Sequence, residues 1–394
     1  MGINKIKIVL LNLALLACLG CSPVYLSRPG GPGLVLVRVA LLHNQPQLVI
    51  TGADTVRISD ASHQSALAPG ESWTLSCAGG SLSAVTSRGT AVDRIESPLK
   101  LWSSAGALVN GKRIAAPLEL RPDATGGILL VAELPLEDYL AGVVNAELGM
   151  VTPDEIEAAK AQAIASRSYA YARIGSKPGA GYDLESSVSD QAFNLDKPAN
   201  PTVQKAVRET QGLVLTCQGS VIAANYHSCC GGRTAFASEV WNAQDKDFPY
   251  IKQVSDPYCR TSPKYSWHDT IAASEIALRL LDTGQAIDDV AITAKGPSYR
   301  ATALKVSAQT RDTTLYKDKI RSGLAGHALP STKFDLACQR DERGFVAAVI
   351  LRGFGYGHGV GMCQWGAIGM ARQGKSYNRI LKYYYNDVRI EKLY

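Results

Sequence analysis

The stretch that decides the fold lies at residues 134–148 and reads LPLEDYLAGVVNAEL. Its proline suits the first turn of a helix, and the two acidic residues that follow complement the positive end of the helix dipole. Gly149 is a suitable C-terminal cap. These signals predict a helix over residues 135–148.

Glu147 lies on the apolar face of this predicted helix, because Leu140, Val143 and Val144 precede it at helical spacings. Partial desolvation and the negative end of the helix dipole both favour the protonated form of a carboxylate at that position. The pattern is therefore consistent with a general acid that acts near neutral pH. The alternative is an ion pair between Glu147 and a basic residue of the next helix.

The next predicted helix, residues 152–174, opens with the capping box TPDE. Lys160, Arg167 and Tyr171 lie near one face of it. That face could border a cleft beside Glu147, with Arg167 binding a substrate oxygen or carboxylate. The alternative is an ordinary solvated helix face.

Composition limits the class of protein. The chain has 394 residues, of which 46% are hydrophobic and 19% charged, so it can bury a core of two or three domains. The formal net charge of +6 is too weak for a dedicated nucleic-acid binder, and we expect no nucleic-acid partner.

The N-terminus predicts a lipoprotein signal peptide at residues 1–18. Two lysines precede a short apolar run, and the run ends in Leu-Leu-Ala before Cys18, the residue expected to carry lipid. A glycine- and proline-rich tether follows at residues 19–33. We therefore expect a membrane-anchored lipoprotein of the cell envelope that faces the periplasm or the cell exterior. The alternative is an ordinary secretory signal with incidental cysteines.

The rest of the chain predicts an α+β protein. Short apolar runs with turn signals indicate a β-rich N-terminal domain over residues 34–125. Residues 126–394 contain a helical core, interrupted at about residues 267–345 by an inserted β-rich subdomain.

Four possible metal ligands lie within fourteen residues, namely Cys217, His227, Cys229 and Cys230. They could form a zinc site, although their spacing matches no standard finger. In an oxidising compartment, disulfides from Cys229 and Cys230 to Cys217, Cys259, Cys338 or Cys363 are the simpler assignment.

A glycine-alternating segment, GFGYGHGVGM at residues 353–362, matches neither a dinucleotide-binding fingerprint nor a phosphate-binding loop. In an extended conformation its glycines would form one bare face that a ligand or a strand can approach. His358 is a candidate catalytic or orienting group, and a buried hydrogen-bonded histidine is the alternative.

Together these motifs resemble the stage II sporulation protein D family, whose relatives include amidase enhancers. The resemblance covers roughly residues 130–394. It is carried by LPLEDYLAGVVNAE at 134–147, AAKAQAIASRSY at 158–169, Ser228 with GGRT at 231–234, Trp241, LPSTKF at 329–334 and GFGYGHGVGMCQWGA at 353–367.

The resemblance implies a peptidoglycan lytic transglycosylase that cleaves the bond between N-acetylmuramic acid and N-acetylglucosamine and leaves a 1,6-anhydro end. It implies that Glu147 is the catalytic acid and base, and that the cleft is lined or supported by Arg167, Tyr169, Gln191, His358 and Gln364. The implied partners are glycan strands, the membrane and another wall hydrolase or amidase.

Two other functions remain open at this point. The chain could be a non-catalytic wall-binding protein that stimulates an N-acetylmuramoyl-L-alanine amidase. It could also be a zinc hydrolase that uses the His227 cluster. No cofactor is implied beyond that possible zinc.

Overall fold

The computed structural model describes residues 34–187, 189–193, 199–281 and 284–394. The predicted signal peptide (1–18) with Cys18 and the predicted tether (19–33) lie outside the described residues. None of the helices in the described ranges is both long and apolar enough to cross a membrane.

The elements divide into three consecutive groups. The first group contains only strands: β1 (Leu36–Gln45), β2 (Gln47–Gly52), β3 (Val56–Ser59), β4 (Gln64–Leu67), β5 (Ser72–Ala78), β6 (Ser81–Thr86), β7 (Ala91–Ile95), β8 (Leu99–Trp102), β9 (Ala107–Val109), β10 (Lys112–Ile114), β11 (Leu118–Pro122) and β12 (Ile128–Pro135). The second group is mainly helical: α1 (Leu136–Leu148), a 3₁₀ turn (Pro153–Glu155), α2 (Ile156–Arg173), β13 (Leu184–Glu185), α3 (Pro201–Glu209), β14 (Leu213–Cys217), β15 (Ser220–Val221), β16 (Tyr226–His227), α4 (Ala237–Val240) and 3₁₀ turns at Asp245–Asp247 and Tyr258–Thr261. The third group is β17 (Ser266–Ala272), α5 (Ala273–Leu280), β18 (Ile287–Lys295), β19 (Ala301–Ala308), β20 (Arg311–Tyr316), α6 (Lys319–Gly323), β21 (Phe334–Arg340) and β22 (Val346–Phe354), followed by β23 (Met362–Cys363), α7 (Gln364–Arg372), α8 (Tyr377–Tyr384) and β24 (Arg389–Lys392).

The β-rich part contains two sheets. Among the described residues, one sheet has the strand order β13-β1-β12-β11-β8-β3-β4 and the other has the order β10-β9-β2-β5-β6-β7. Alternating residues such as Leu99 and Leu101 of β8 point into the shared core, as expected for strands with one buried face. The first sheet extends past the predicted boundary at residue 125, because β12 pairs with both β1 and β11.

Strand β12 leads directly into α1 and so fixes the position of that helix. Pro135 ends the strand and precedes the first helical residue, Leu136. Leu140, Val143 and Val144 of α1 are fully buried in the core that the helix shares with the sheets. The carboxyl end of α1, with Glu147, is thereby held at a defined place relative to the sheet.

Helix α2 is buried on almost every side, which explains its many alanines. Of residues 158–170, all except Lys160 are buried, and α2 contacts α1, α3, α7 and α8. Alanine side chains allow such close approach of neighbouring helices because they end at Cβ. Ala159 and Ala163 join the core of the β-rich part, whereas Ala161 and Ile164 join a second core formed with the C-terminal helices.

The predicted insertion forms a sheet with its own hydrophobic core. Within the described ranges its strand order is β17-β22-β18-β19-β20, with β21 added alongside β22. This sheet spans residues 266–354, and its last strand leads into the glycine-rich segment. With its β-rich N-terminal part, helical core and third sheet, the chain has the predicted α+β fold.

Candidate active site

Glu147 lies in the last full turn of α1 and is only partly buried, although the residues one turn earlier are fully buried. Its carboxylate meets three neutral donors. The Ala192 backbone N–H donates to Oε1 over 2.9 Å and the Gln364 side-chain amide donates to Oε2 over 3.0 Å. The Tyr226 hydroxyl makes a longer contact of 3.5 Å with Oε1.

No described basic side chain forms an ion pair with Glu147. Burial raises the pKa of this carboxyl above its ordinary value, and the hydrogen bonds from Gln364, Ala192 and Tyr226 offset only part of that increase. An acid with an elevated pKa can hold its proton closer to neutral pH and release it to a bound group. The alternative ion pair with the next helix is not formed.

Tyr226 and Gln364 reach Glu147 because two short strands pair side by side. In the parallel pair of β16 and β23, Tyr226 lies opposite Met362 and His227 lies opposite Cys363. Gln364 then begins α7 directly after β23. Burial and the charge of Glu147 raise the pKa of Tyr226 well above its ordinary value, so its hydroxyl remains a donor.

Gln191 is fully buried and acts on Glu147 through Tyr226. Its amide nitrogen donates to the Tyr226 hydroxyl over 2.9 Å, and its oxygen accepts a hydrogen bond from the Tyr139 hydroxyl over 3.1 Å. Tyr139 is eight residues before Glu147 on α1, which places the two on the same helix face. The sequence analysis does not identify Tyr139 or Tyr226 as site residues. Only Tyr139 could have been found from the sequence, through its helical spacing to Glu147.

Tyr169 is 6% exposed and holds the segment that supplies Gln191. Its hydroxyl donates to Asp190 over 3.0 Å, and Lys177 pairs with the same carboxylate over 2.8 Å. Tyr169 therefore supports the site from beneath, and its hydroxyl is engaged by Asp190.

The prediction that Arg167 faces the cleft is wrong. Its side chain is fully buried, and its guanidinium forms a bidentate ion pair with Glu137, with N–O distances of 2.8 and 2.7 Å. A third donor reaches the Leu213 carbonyl over 3.0 Å. The polar positions on α2 could not be assigned to a cleft because this helix is covered on nearly all sides.

His358 lies beside a second histidine and a tryptophan. Its Nδ1 accepts a hydrogen bond from the Val360 N–H over 3.1 Å, and its ring centre is 5.5 Å from that of His227 and 5.2 Å from that of Trp241. Burial and the neighbouring His227 and Arg300 hold the pKa of His358 well below its ordinary value. Burial and Arg300 likewise lower the pKa of His227 to about 3. Both rings are therefore neutral at physiological pH.

The glycine-rich segment is not an extended ribbon. Gly355, Gly357, Gly359 and Gly361 all have positive φ angles between 73° and 102°, which L-residues with a side chain rarely adopt. A Cβ at Gly359 would collide with the Arg300 guanidinium. The glycines thus allow a tightly turning backbone that packs against its neighbours.

The predicted cysteine assignments are also wrong. The seven cysteines within the described residues are free thiols, so the predicted disulfides among them are not formed. The predicted zinc set is not assembled either, since His227 bonds to the Val360 carbonyl and the Cys229 thiol contacts the Cys259 carbonyl. Of Cys217, His227, Cys229 and Cys230, the structure places Cys230 alone in a group of possible metal ligands, together with Asp256, Cys259 and Cys363.

Two family models match parts of this chain. Residues 124–217 match the family model described as stage II sporulation protein, and residues 250–361 match a domain of unknown function. An uncharacterized protein of Brachyspira hyodysenteriae is 33% identical over 267 residues, which cover 67% of this chain and 68% of that protein.

Two Bacillus subtilis proteins are also similar. Stage II sporulation protein D is 31% identical over 280 residues, covering 66% of this chain and 76% of the relative. The amidase enhancer is 25% identical over 297 residues, covering 62% of this chain and 39% of the relative. The identity to stage II sporulation protein D extends over 76% of that relative, and residues 124–217, which include Glu147, match the family model, so the chain belongs to the stage II sporulation protein D family.

Proposed function

We propose that this protein is a peptidoglycan lytic transglycosylase in which Glu147 acts first as an acid and then as a base. The observation that carries the proposal is the environment of this carboxyl. It is partly buried, has an elevated pKa and is contacted by three neutral donors. A carboxyl of this kind can protonate a glycosidic oxygen near neutral pH.

In the first half of the proposed reaction, Glu147 gives its proton to the oxygen that bridges N-acetylmuramic acid and N-acetylglucosamine. The C1–O bond breaks and the departing sugar keeps the proton as a hydroxyl. In the second half, the Glu147 carboxylate takes the proton of the muramic C6 hydroxyl while that oxygen bonds to C1. The product is a 1,6-anhydro ring, no water is consumed, and Glu147 ends protonated as it began.

The hydrogen-bond donors around Glu147 suit both halves of the proposed reaction. Each hydrogen bond that reaches the carboxylate stabilises its charged form after the first proton transfer. Because the donors are neutral, they do so without the full charge of a lysine or arginine, which would hold the carboxyl ionised before the reaction. One acid suffices for this chemistry, whereas most glycoside hydrolases use a second carboxyl group.

The test compares Glu147→Gln with the wild-type protein on purified peptidoglycan sacculi, with mass spectrometry of the released fragments. The amide keeps the size of the side chain and cannot supply the proton, so we expect release of anhydro-muropeptides to fall by about 100-fold or more. Glu342→Gln, at an exposed glutamate remote from the site, is the matched control and should retain activity. Unchanged release by Glu147→Gln would refute the proposal.

A second function is supported by the similarity to the amidase enhancer. In that case the protein binds the wall and stimulates an N-acetylmuramoyl-L-alanine amidase. The wild-type protein alone would then release no anhydro-muropeptides, yet it would sediment with sacculi and increase amide cleavage by added amidase. Glu147→Gln would stimulate the amidase as well as the wild-type protein does.

For location, we propose the cell envelope, with attachment to the membrane by lipid on Cys18. The support is the sequence pattern of residues 1–18. Metabolic labelling with a radioactive fatty acid should mark the wild-type protein and leave Cys18→Ser unlabelled. Equal labelling of the wild-type protein and Cys18→Ser would show that Cys18 does not carry the lipid. Cys21→Ser would then test the next cysteine along the chain.

A further inference from the structure

Four potential metal ligands converge in the second core, beside the elements that hold Glu147. The Sγ atoms of Cys230, Cys259 and Cys363 and a carboxylate oxygen of Asp256 all lie within 4.8 Å of one another. All four residues are completely buried. They come from three separate parts of the chain: the segment after β16, the 3₁₀ turn at Tyr258–Thr261 with the residues before it, and the end of β23.

The spacing of these atoms suits one tetrahedral ion. With zinc–sulfur bonds of about 2.3 Å, the sulfurs of a tetrahedral site lie about 3.8 Å apart. The Cys230 and Cys259 sulfurs are 3.5 Å apart, and the Cys230 sulfur is 3.2 Å from Asp256 Oδ2. Thiolates favour zinc among the common divalent ions, and four protein ligands leave no open position, as in structural zinc sites.

Asp256 gives the strongest reason to expect a cation. Its carboxylate is completely buried, and no basic side chain in the described ranges forms an ion pair with it. Its partners are the Tyr258 N–H, the Tyr384 hydroxyl, each at 3.0 Å, and the Cys230 thiol. A buried carboxylate is strongly destabilised unless it is paired or binds a metal. Three neighbouring thiols do not provide a positive charge, but a metal ion does.

The surroundings of the cluster match those of a thiolate site. The backbone N–H groups of Cys230 and Gly366 donate to the Cys363 sulfur over 3.2 and 3.4 Å, and such bonds stabilise a metal-bound thiolate. Tyr384 likewise orients Asp256. A Cβ at Gly366 would collide with both Asp256 and Tyr384, so this glycine lets α7 pack closely against the cluster.

The nearby charges balance a loaded site. Three thiolates and one carboxylate carry four negative charges, of which a divalent ion neutralises two. Two basic side chains bond to carbonyls of the segment that contains Cys230: the buried Arg300 to the Cys230 carbonyl over 3.4 Å, and Lys333 to the Gly231 carbonyl over 2.7 Å. They supply the remaining two positive charges.

We propose that Cys230, Asp256, Cys259 and Cys363 bind a single structural zinc ion. The ion ties the 3₁₀ turn and the segment after β16 to the start of α7. Since Cys363 directly precedes Gln364, the same ion fixes the residue that donates to Glu147. Zinc displaces the thiol protons as it binds, and the thiols remain unoxidised.

The test uses the purified protein after equilibration with zinc and removal of the excess, with the metal measured by elemental mass spectrometry. We expect about one zinc per chain. Cobalt(II) in place of zinc should give thiolate-to-cobalt charge-transfer absorption and the visible bands of a tetrahedral site. These two measurements need no variant, so they remain informative if a ligand variant fails to fold.

Cys259→Ser and Asp256→Asn should each reduce zinc affinity about tenfold or more, by analogy with the loss of groups that support a metal site. Cys338→Ser is the matched control, because this partly exposed thiol on β21 lies outside the cluster. It should bind zinc as the wild-type protein does. Four outcomes would each overturn the proposal. The wild-type protein could lack stoichiometric zinc, or its cobalt spectrum could lack thiolate bands. Peptide mass spectrometry could find a Cys230–Cys259 disulfide, or Cys338→Ser could lose as much zinc affinity as the ligand variants.

Discussion

The hydrogen bond from Gln364 should lower the pKa of Glu147, and replacing Gln364 by methionine tests this directly. Methionine is unbranched and of similar length, but it cannot donate the 3.0 Å hydrogen bond to Oε2. Among the described residues, no other side chain donates to that oxygen. Loss of the donor destabilises the carboxylate more than the neutral acid, so the pKa of Glu147 should rise.

The size of the effect follows from the kind of bond. A hydrogen bond to a charged group contributes about 1.5–3 kcal/mol, and the partial exposure of Glu147 favours the lower end of that range. Since 1.36 kcal/mol corresponds to one pKa unit, the pKa should rise by about one unit. Neighbouring tyrosines do not obscure the titration, because burial raises the pKa values of Tyr226 and Tyr139 well above the ordinary value.

The assay is the pH dependence of the initial rate of anhydro-muropeptide release at limiting sacculi concentration. The free enzyme must hold its proton to act as an acid, so activity falls as the pH rises through the pKa of Glu147. In Gln364→Met this alkaline limb should move to higher pH by about one unit. Gln373→Met, at an exposed glutamine near the end of α7, is the control and should leave the limb unchanged. A limb that stays in place or moves to lower pH in Gln364→Met would refute the reasoning.

Three further substitutions test the supporting structure. Arg167→Met should lower the free energy of unfolding by about 3 kcal/mol in a urea titration, because it leaves Glu137 without its buried partner. The control, Arg208→Met at an exposed position, should have little effect on the free energy of unfolding. A raised KM with unchanged stability in Arg167→Met would instead indicate substrate contact. Burial raises the pKa of Glu137, but the hydrogen bonds and charge of Arg167 outweigh burial and hold the pKa below the ordinary value of 4.5. The Glu137 carboxylate therefore stabilises the fold fully above pH 4.5, and this stabilisation is lost as the pH falls through the folded-state pKa. The stability difference between wild type and Glu137→Gln should therefore be larger at pH 7 than under acid conditions, and a constant difference would contradict this sign. Tyr226→Phe should slow anhydro-muropeptide release by about tenfold, because the hydroxyl contacts Glu147 and orients Gln191, and an unchanged rate would show that this contact is dispensable.

The helix with Glu147 could be predicted because its signals are local. A proline at the start, a glycine after the end and apolar residues at helical spacing all lie within residues 134–149. The donors to Glu147 could not be predicted in this way, since Ala192 and Tyr226 are 45 and 79 residues away along the chain. Their approach depends on how strands and loops pack, which periodicity does not encode.

Arg167 shows a different limit of the same reasoning. Helical spacing correctly relates its direction to that of its neighbours on α2, but it does not say what covers that face. The surrounding alanines indicated close packing, and a charged side chain on such a helix is more consistent with a buried partner than with a cleft. Glu137 is that partner, thirty residues earlier in the chain.

The possible zinc set of Cys217, His227, Cys229 and Cys230 is close in sequence, whereas the structure groups Cys230 with residues that are distant in sequence. Cys229 and Cys230 are adjacent in the chain, and both thiols lie near Cys259 and Cys363. The Cys230 sulfur meets Cys259, which is 29 residues away, and its backbone N–H meets the sulfur of Cys363, which is 133 residues away. The ordering of these distant segments around one cluster also orders Gln364. The local helix therefore supplies the proposed acid, and donors from the C-terminal half influence its pKa, so the proposed chemistry at Glu147 requires both parts of the fold.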